Sequence, residues 1–353
     1  MIKILDIYIA RTLFTTTALS LSVLTGLSSL IKFIEQMKSV GRGSYDMSVA
    51  AIYVLLSVPR DFEQFFPMAT LIGGLIGMGM LASSSELVVM QAAGQSRANI
   101  ITSAMKSALL MVLVIMAVSE WVAPASETKA KEIRTQAISG GSLFSGDRLV
   151  WAKDGDNFVS IGEVASRSQL KDVTIYAFDD AAHLKQITYA KEALFNGDYW
   201  LLNNPSFTYF SSDQISSEVQ SQGLWRSSLT PDKLSVVTVK PDALSIQGLL
   251  DYINYLENNS QDPSQYELAL WRKILQPLTI AAMLLMALSF IFGPLRSVTM
   301  GARIIMGVLT GFGFFVANEV FGPLSLVYQL PSVLGAIAPS LLFAGVAMYM
   351  LRR

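Results

Sequence analysis

Apolar positions are distributed unevenly along the chain. Six apolar stretches stand out, at roughly residues 12–34, 64–82, 98–122, 268–292, 303–322 and 332–351. Each approaches or exceeds the ~20 residues that a helix needs to cross a hydrocarbon core. The pattern therefore predicts three transmembrane helices, a polar middle segment, and three more transmembrane helices. Pro59 and Pro67 are read as bracketing the start of the second span, Pro294 follows the fourth, and Pro323 and Pro331 frame the loop between the fifth and sixth. The first stretch outruns the ~7–15 residues of a signal-peptide core, and no small-residue cleavage site follows it. It reads as an uncleaved first span.

The middle segment changes period. Phe158–Ile161, Val173–Phe178, Leu184–Phe195, Tyr199–Leu202, Phe207–Phe210 and Leu234–Val239 are rich in β-branched and aromatic residues and predict strands. Asn196-Gly197 and Asp154-Gly155 predict hairpins, because a type I′ turn needs positive φ at both central positions. Strands at this spacing suggest a sandwich or jelly roll. Leu244–Glu257 predicts an amphipathic linker helix. The fold class expected is thus a polytopic α-helical membrane protein of six transmembrane helices, arranged 3+3, with an inserted β domain. Its domain boundaries fall at 1–123, 124–262 and 263–353.

Composition sharpens this picture. The chain is 52% hydrophobic and 15% charged, against about 25% charged in soluble chains. The deficit is confined to the two apolar blocks. A formal net charge of −1 gives no case for nucleic acid. With no cysteine, and His183 as the one histidine, disulfides, thiolate zinc sites, iron–sulfur clusters, cysteine nucleophiles and multi-histidine metal sites are excluded. Asp154-Gly155-Asp156-Asn157 opens like a calcium loop, but Ala165 stands where the loop needs a glutamate. A tight turn is the better reading. There is no phosphate-binding loop, nucleophile elbow or histidine-based triad. If the protein moves a substrate uphill, ATP hydrolysis must come from another chain.

Basic residues set orientation. Lys3, Arg11, Arg97, Lys106, Arg296, Arg303, Arg352 and Arg353 fall on one side if both termini are cytoplasmic, which leaves the β domain outside. Lys38, Arg42 and Arg60 lie opposite and moderate the bias. Trp121 and Trp271 then fall at the outer interface, where amphipathic rings prefer to sit.

Four features could carry function. Between the second and third spans, Ser83 and Glu86 have capping-box spacing and Gly94 suits a left-handed helix end. They predict a helix of about ten residues, roughly 15 Å long, either a docking element for a cytoplasmic partner or a plain connector. Next, Ser28, Lys32 and Ser39 share a stripe at the end of the first span with Glu35 beside them, while Lys131 and Arg134 follow the third span. With Lys38 these cations would form a positive rim suited to a phosphorylated lipid headgroup. A Lys32–Glu35 pair or a snorkelling Lys32 is the plainer alternative. Glu319, beside Asn318, is an acid within the fifth span, and either function or helix packing accounts for it. Finally, Gly73, Gly74, Gly77 and Gly307–Gly311 predict closely packed helices without chemistry.

One resemblance covers essentially the whole chain. It rests on Ile31-Lys32-Phe33, Gly43-Ser44-Tyr45-Asp46, Ser85-Glu86-Leu87-Val88-Val89-Met90-Gln91-Ala92-Ala93-Gly94, Glu120-Trp121-Val122-Ala123-Pro124, Trp151-Ala152-Lys153-Asp154-Gly155, the run Leu229–Leu234 and the run Ala287–Arg296. Together these resemble the LptF/LptG permease family of the lipopolysaccharide exporter in Gram-negative inner membranes. The resemblance implies a periplasmic β-jellyroll and a non-catalytic subunit without its own cofactor. It implies pairing with the homologous permease LptF around a cavity that takes lipopolysaccharide from the outer leaflet. ATP would be bound by a dimer of the ATPase LptB, seated on a coupling helix at residues 84–93, with Glu86, Leu87, Met90, Ala93 and Gly94 as the contact positions. The single-span LptC would sit beside the first span and pass lipid toward the bridge protein LptA. The positions matching the family's phosphate contacts are Lys32, Lys38, Lys131 and Arg134. Ser39 stands where some relatives carry a second lysine. The alternative function is a mechanotransmitting or lipoprotein-handling subunit of another ATP-driven complex.

Overall fold

The computed structural model describes residues 4–139, 150–166, 168–179, 181, 183–211, 214–231, 233, 240–293 and 298–352. The expected strand Leu234–Val239 and residues Lys3, Pro294, Arg296 and Arg353 lie outside them. The chain forms two compact units, one of Met1–Ile34, Val54–Glu127 and Ser264–Arg353, the other of Glu35–Tyr53 and Thr128–Pro263.

The helices before the sheet are α1 (Ile4–Met37), α2 (Met47–Ser83), α3 (Glu86–Ala92), α4 (Arg97–Ala117) and α5 (Ala123–Ser139), with a π-helical turn at Val118–Val122 joining the last two. After the sheet come α6 (Ile246–Asn258), α7 (Ser264–Ile274), α8 (Gln276–Phe292), α9 (Met300–Val327) and α10 (Ser332–Arg352). Five helices are long and apolar enough to cross a membrane, and α7 with α8, bent by 53°, supplies a sixth span when taken together. Pro277 causes that break. It lies in the first turn of α8 and has no N–H to offer the carbonyl of Lys273.

The second span differs from its expectation. Residues 47–60 are helix, and Pro59 and Pro67 lie inside α2 rather than bracketing its start. Two of the polar residues at and near the end of this stretch are buried, Ser57 at 2% and Asp61 at 1% exposed. Proline is tolerated inside a span when neighbouring groups satisfy the freed carbonyl. The first span likewise starts earlier than expected, at Ile4.

Spans gain little from hydrophobic burial against one another, because lipid is as apolar as leucine; close packing and interhelical hydrogen bonds hold them. The glycines supply that closeness. A Cβ on Gly73 would stand 2.5 Å from the Thr17 backbone, one on Gly77 2.7 Å from the Thr16 hydroxyl, and one on Gly74 2.9 Å from Ala287. Thr16 then donates across to the Gly73 carbonyl at 2.7 Å. Gly307 and Gly311 meet Leu75 and Met68 in the same way. On α1, Ile9, Leu13, Thr16, Thr17, Ser20 and Leu21 form the inward stripe, while Leu19, Val23, Leu27, Leu30 and Ile34 are exposed.

The second unit holds an eight-stranded sheet whose order is β1-β2-β3-β4-β5-β8, with β6 on β4 and β7 on β6. The strands are β1 (Val150–Asp154), β2 (Asn157–Ser166), β3 (Gln169–Phe178), β4 (Leu184–Phe195), β5 (Trp200–Asn203), β6 (Ser206–Phe210), β7 (Ile215–Val219) and β8 (Gln222–Trp225). All are paired antiparallel. The long β4 divides its free edge: Gln186–Tyr189 pair with β6 and Glu192–Phe195 with β5. Val159, Ile161, Leu170, Val173, Ala190, Ala193 and Trp200 are buried, with the alternation interrupted in β3 at Asp172, whose φ is +51°.

At Asp154-Gly155 a hairpin forms as expected, but one residue on: Asp154 pairs with Asn157, so Gly155 and Asp156 are the central residues, and of these Gly155 alone takes positive φ, at +62°. Asn196-Gly197 does not make a two-residue turn. Phe195 pairs with Trp200 around a four-residue loop, in which Gly197 alone takes positive φ. Asp154 accepts from the Ser228 amide and hydroxyl at 2.8 and 2.6 Å, so this carboxylate caps a neighbouring turn. Helix α6, capped by Ser245 on the Gly248 amide, closes this end of the sheet. Tyr255 donates to the Lys153 carbonyl at 2.7 Å, and the Asn259 side chain accepts from the Gly155 amide at 2.6 Å.

Candidate functional site

Helix α3 is shorter than expected and starts differently. Ser83 does not cap it. The cap position is Ser85, in the left-handed region at φ +61° with no side-chain cap hydrogen bond. Glu86 is therefore not in a capping box. Its carboxylate accepts from the Tyr8 phenol at 2.7 Å and from the Ser84 hydroxyl at 2.8 Å. These bonds, Tyr8's first, hold the Glu86 carboxyl below the usual carboxylate range. Gly94 ends the helix at φ +87°, as its sequence position suggested.

The faces of α3 are unequal. Leu87 is buried in the apolar core of the spans, and Met90 packs against that core. Leu87, buried, and Met90, half-buried, anchor the helix on this side. Val88 and Val89 are 55% and 65% exposed, and Ala93 and Gly94 are exposed as well. A seven-residue helix with an apolar outer face and an oriented acid at its start is thus held onto the spans from its other side.

The expected basic residues occupy distinct settings. Lys32 does not pair with Glu35. Its ammonium forms a salt bridge with Asp61, whose other oxygen accepts from Ser28 at 3.1 Å. Ser28 and Lys32 therefore do share a helical face, directed at α2. Lys38 is exposed in the turn after α1, and Ser39 beside it is 9% exposed. Lys131 and Arg134 lie half-buried on α5. The Arg134 guanidinium donates to the Gln36 side chain at 3.0 Å and lies 6.0 Å from the centre of the Tyr53 ring, within cation–π range. Arg134 and the turn bearing Lys38 are thereby brought together. Glu319 is exposed on α9, while the backbone carbonyl of its neighbour Asn318 accepts from Arg272 at 2.6 Å.

Three polar clusters with buried members were missed. Glu63 and Lys273 pair at 2.8 Å, and Ser119 of the π turn bonds to both. Asp6 accepts from Ser103 and Lys106. Arg303, 4% exposed, donates to the Gly79 carbonyl at 2.8 Å. All three join residues far apart in sequence. Glu63, an acid directly before the apolar run at 64–82, carries a local signal that could have marked it. Among the described residues, no group of three or more His, Asp or Glu side chains could hold a metal ion.

Apolar spans packed through glycines, a sheet inserted between the third and fourth, and a short anchored helix between the second and third define a polytopic membrane protein of permease type. The chain belongs to the lipopolysaccharide export system permease LptF/LptG family, whose model matches residues 7–353. It is similar to the lipopolysaccharide export system permease protein LptG of Escherichia coli (strain K12), 48% identical over 353 residues that cover 99% of this chain and 98% of that protein. It is also similar to LptG of Haemophilus influenzae, 45% identical over 100% of this chain and 99% of that protein. Likeness to LptF of Escherichia coli (strain K12) is 27% over 150 residues, 41% of each chain.

Proposed function

We propose that this chain is a permease subunit of an ATP-driven exporter that takes lipopolysaccharide from the outer leaflet of the bacterial inner membrane toward a periplasmic bridge. The near-complete match to lipopolysaccharide export permeases of the LptG type carries this reading. Both termini and α3 lie in the cytoplasm, and the β unit at about 124–262 is a periplasmic jellyroll. The homologous LptF completes the cavity, LptC packs near the first span, and LptA receives the lipid.

The chain performs no catalysis. A dimer of the ATPase LptB binds ATP and seats on α3, where Glu86, Val88, Val89, Ala93 and Gly94 form the outward surface. Leu87 and Met90 transmit the stroke inward, because they are packed into the spans. Lys32, Lys38, Lys131 and Arg134 meet the phosphates of the substrate. The exposed apolar faces of α1 and of α9, with Ile305, Leu309, Phe312 and Val316 outward, face the acyl chains or the partner permease. Each acyl CH₂ withdrawn from lipid costs about 0.8 kcal/mol, so a multi-chain lipid cannot leave without an external energy source.

Charge reversal at Lys38, Lys131 and Arg134 tests the phosphate contacts. Photocrosslinking to lipopolysaccharide should fall in an assembled complex, and crosslinking at the wild-type level would rule out the rim as the phosphate contact.

A further inference from the structure

We propose that Asp61 makes Lys32 a selective phosphate site, by acting as a resident counter-ion that only a more highly charged phosphate can outcompete. The inference rests on the reading that Lys32 meets the substrate. Asp61 is 1% exposed, and a buried carboxylate needs a paired cation and further hydrogen bonds. Lys32 supplies the first and Ser28 the second, both from one face of α1. Lys32 remains 29% exposed. Its ammonium has three donors, so a carboxylate can hold it on one side while a lipid phosphate approaches from the other.

That arrangement has a consequence for specificity. A lysine without a counter-ion would attract any lipid phosphate, including the singly charged phosphodiesters of bulk phospholipid. Beside Asp61 the pair is neutral, and any arriving phosphate must first draw the ammonium away from the carboxylate. A phosphomonoester carries about −1.5 to −2 charge near neutral pH, so it competes for the ammonium better than a phosphodiester does. The same carboxylate reclaims Lys32 when the lipid leaves, which keeps the contact reversible.

The test uses the full complex in vesicles, with a photoreactive residue replacing the exposed Ile31. The probes are bisphosphorylated lipid A and phosphatidylglycerol. In Asp61→Asn, phosphatidylglycerol capture relative to lipid A should rise by roughly three- to tenfold, the scale of a partly exposed ion pair. Asp61→Ser, which still offers Ser28 an oxygen, should behave the same way and serves if the amide variant fails to assemble. Unchanged selectivity, or equal loss of both lipids, would overturn the proposal, since Asp61 would then only position Lys32. The double variant Lys32→Met with Asp61→Asn separates the two levels. Wild-type lipid A capture there would remove Lys32 from the substrate site altogether, whatever Asp61 does.

Discussion

The Tyr8 phenol donates to the Glu86 carboxylate at 2.7 Å, tying the start of α3 to the first span across 78 residues of chain. If α3 receives the push of an ATPase, α1 is the first membrane helix to feel it. Tyr8→Phe should therefore lower lipid release per ATP hydrolysed while leaving ATP hydrolysis intact, and Glu86→Ala should lower it further. An unchanged ratio in Tyr8→Phe would disconnect the two residues functionally.

The same bond has a pH signature. Glu86 titrates below the usual carboxylate range, through Tyr8 first and Ser84 second. A depressed folded pKa contributes above the ordinary carboxylate range and is lost as pH falls through the folded value. Coupling should persist to lower pH in the wild type than in Tyr8→Phe. Profiles of lipid release against pH that superimpose would contradict this.

The buried pair Glu63–Lys273 predicts a non-additive result. Lys273→Met leaves Glu63 as an uncompensated acid, a loss of about 3–5 kcal/mol. Removing both charges, as Glu63→Leu with Lys273→Met, should recover most of it. Thermal melting of the detergent-purified complex decides the matter. Equal destabilisation by the single and double variants would show that the pair is not the source of the loss.

Close helix approach is testable at Gly73, where a side chain meets the Thr17 backbone, which cannot swing aside. Gly73→Val should cost about 1–3 kcal/mol or more by overpacking. Gly301→Ala, at a position with nothing near its Cβ, should be tolerated. Melting temperatures of the two variants should separate clearly.

Tyr255 gives the β unit an alkaline limit. Burial first, and the Asp154 charge second, push its pKa from 10.0 to about 12. A raised folded pKa contributes fully below pH 10 and is lost as pH rises through about 12. Tryptophan fluorescence should report opening of the unit in that window, and Tyr255→Phe should flatten the limb. The same substitution should cost about 1 kcal/mol at neutral pH for the lost bond to Lys153.

The spans were legible because a charge-free run of ~20 residues is rare outside a membrane helix. The start of α2 was not, because the charged residues Arg60, Asp61 and Glu63 interrupt the apolar run and make the preceding residues look like a loop. Partners such as Lys273 for Glu63 lie 210 residues away, beyond any local pattern. The long β4 was read to the residue, whereas β2 and β3 extend well beyond the expected Phe158–Ile161 and Val173–Phe178, and β7, Ile-Ser-Ser-Glu-Val, carries too few apolar residues to stand out. At α3 the residue types suggested a capping box, but the left-handed Ser85 redirects Glu86 to Tyr8. The basic residues were visible as residue types. The Asp61 that holds Lys32 was hidden by the misplaced helix start.

Lipid identity is the central claim, and mass spectrometry of lipid co-purifying with the assembled complex measures it most directly. The predicted result is bound lipopolysaccharide that is lost from the complex when ATP is added. An intact complex that carries only bulk phospholipid, with or without ATP, would contradict it.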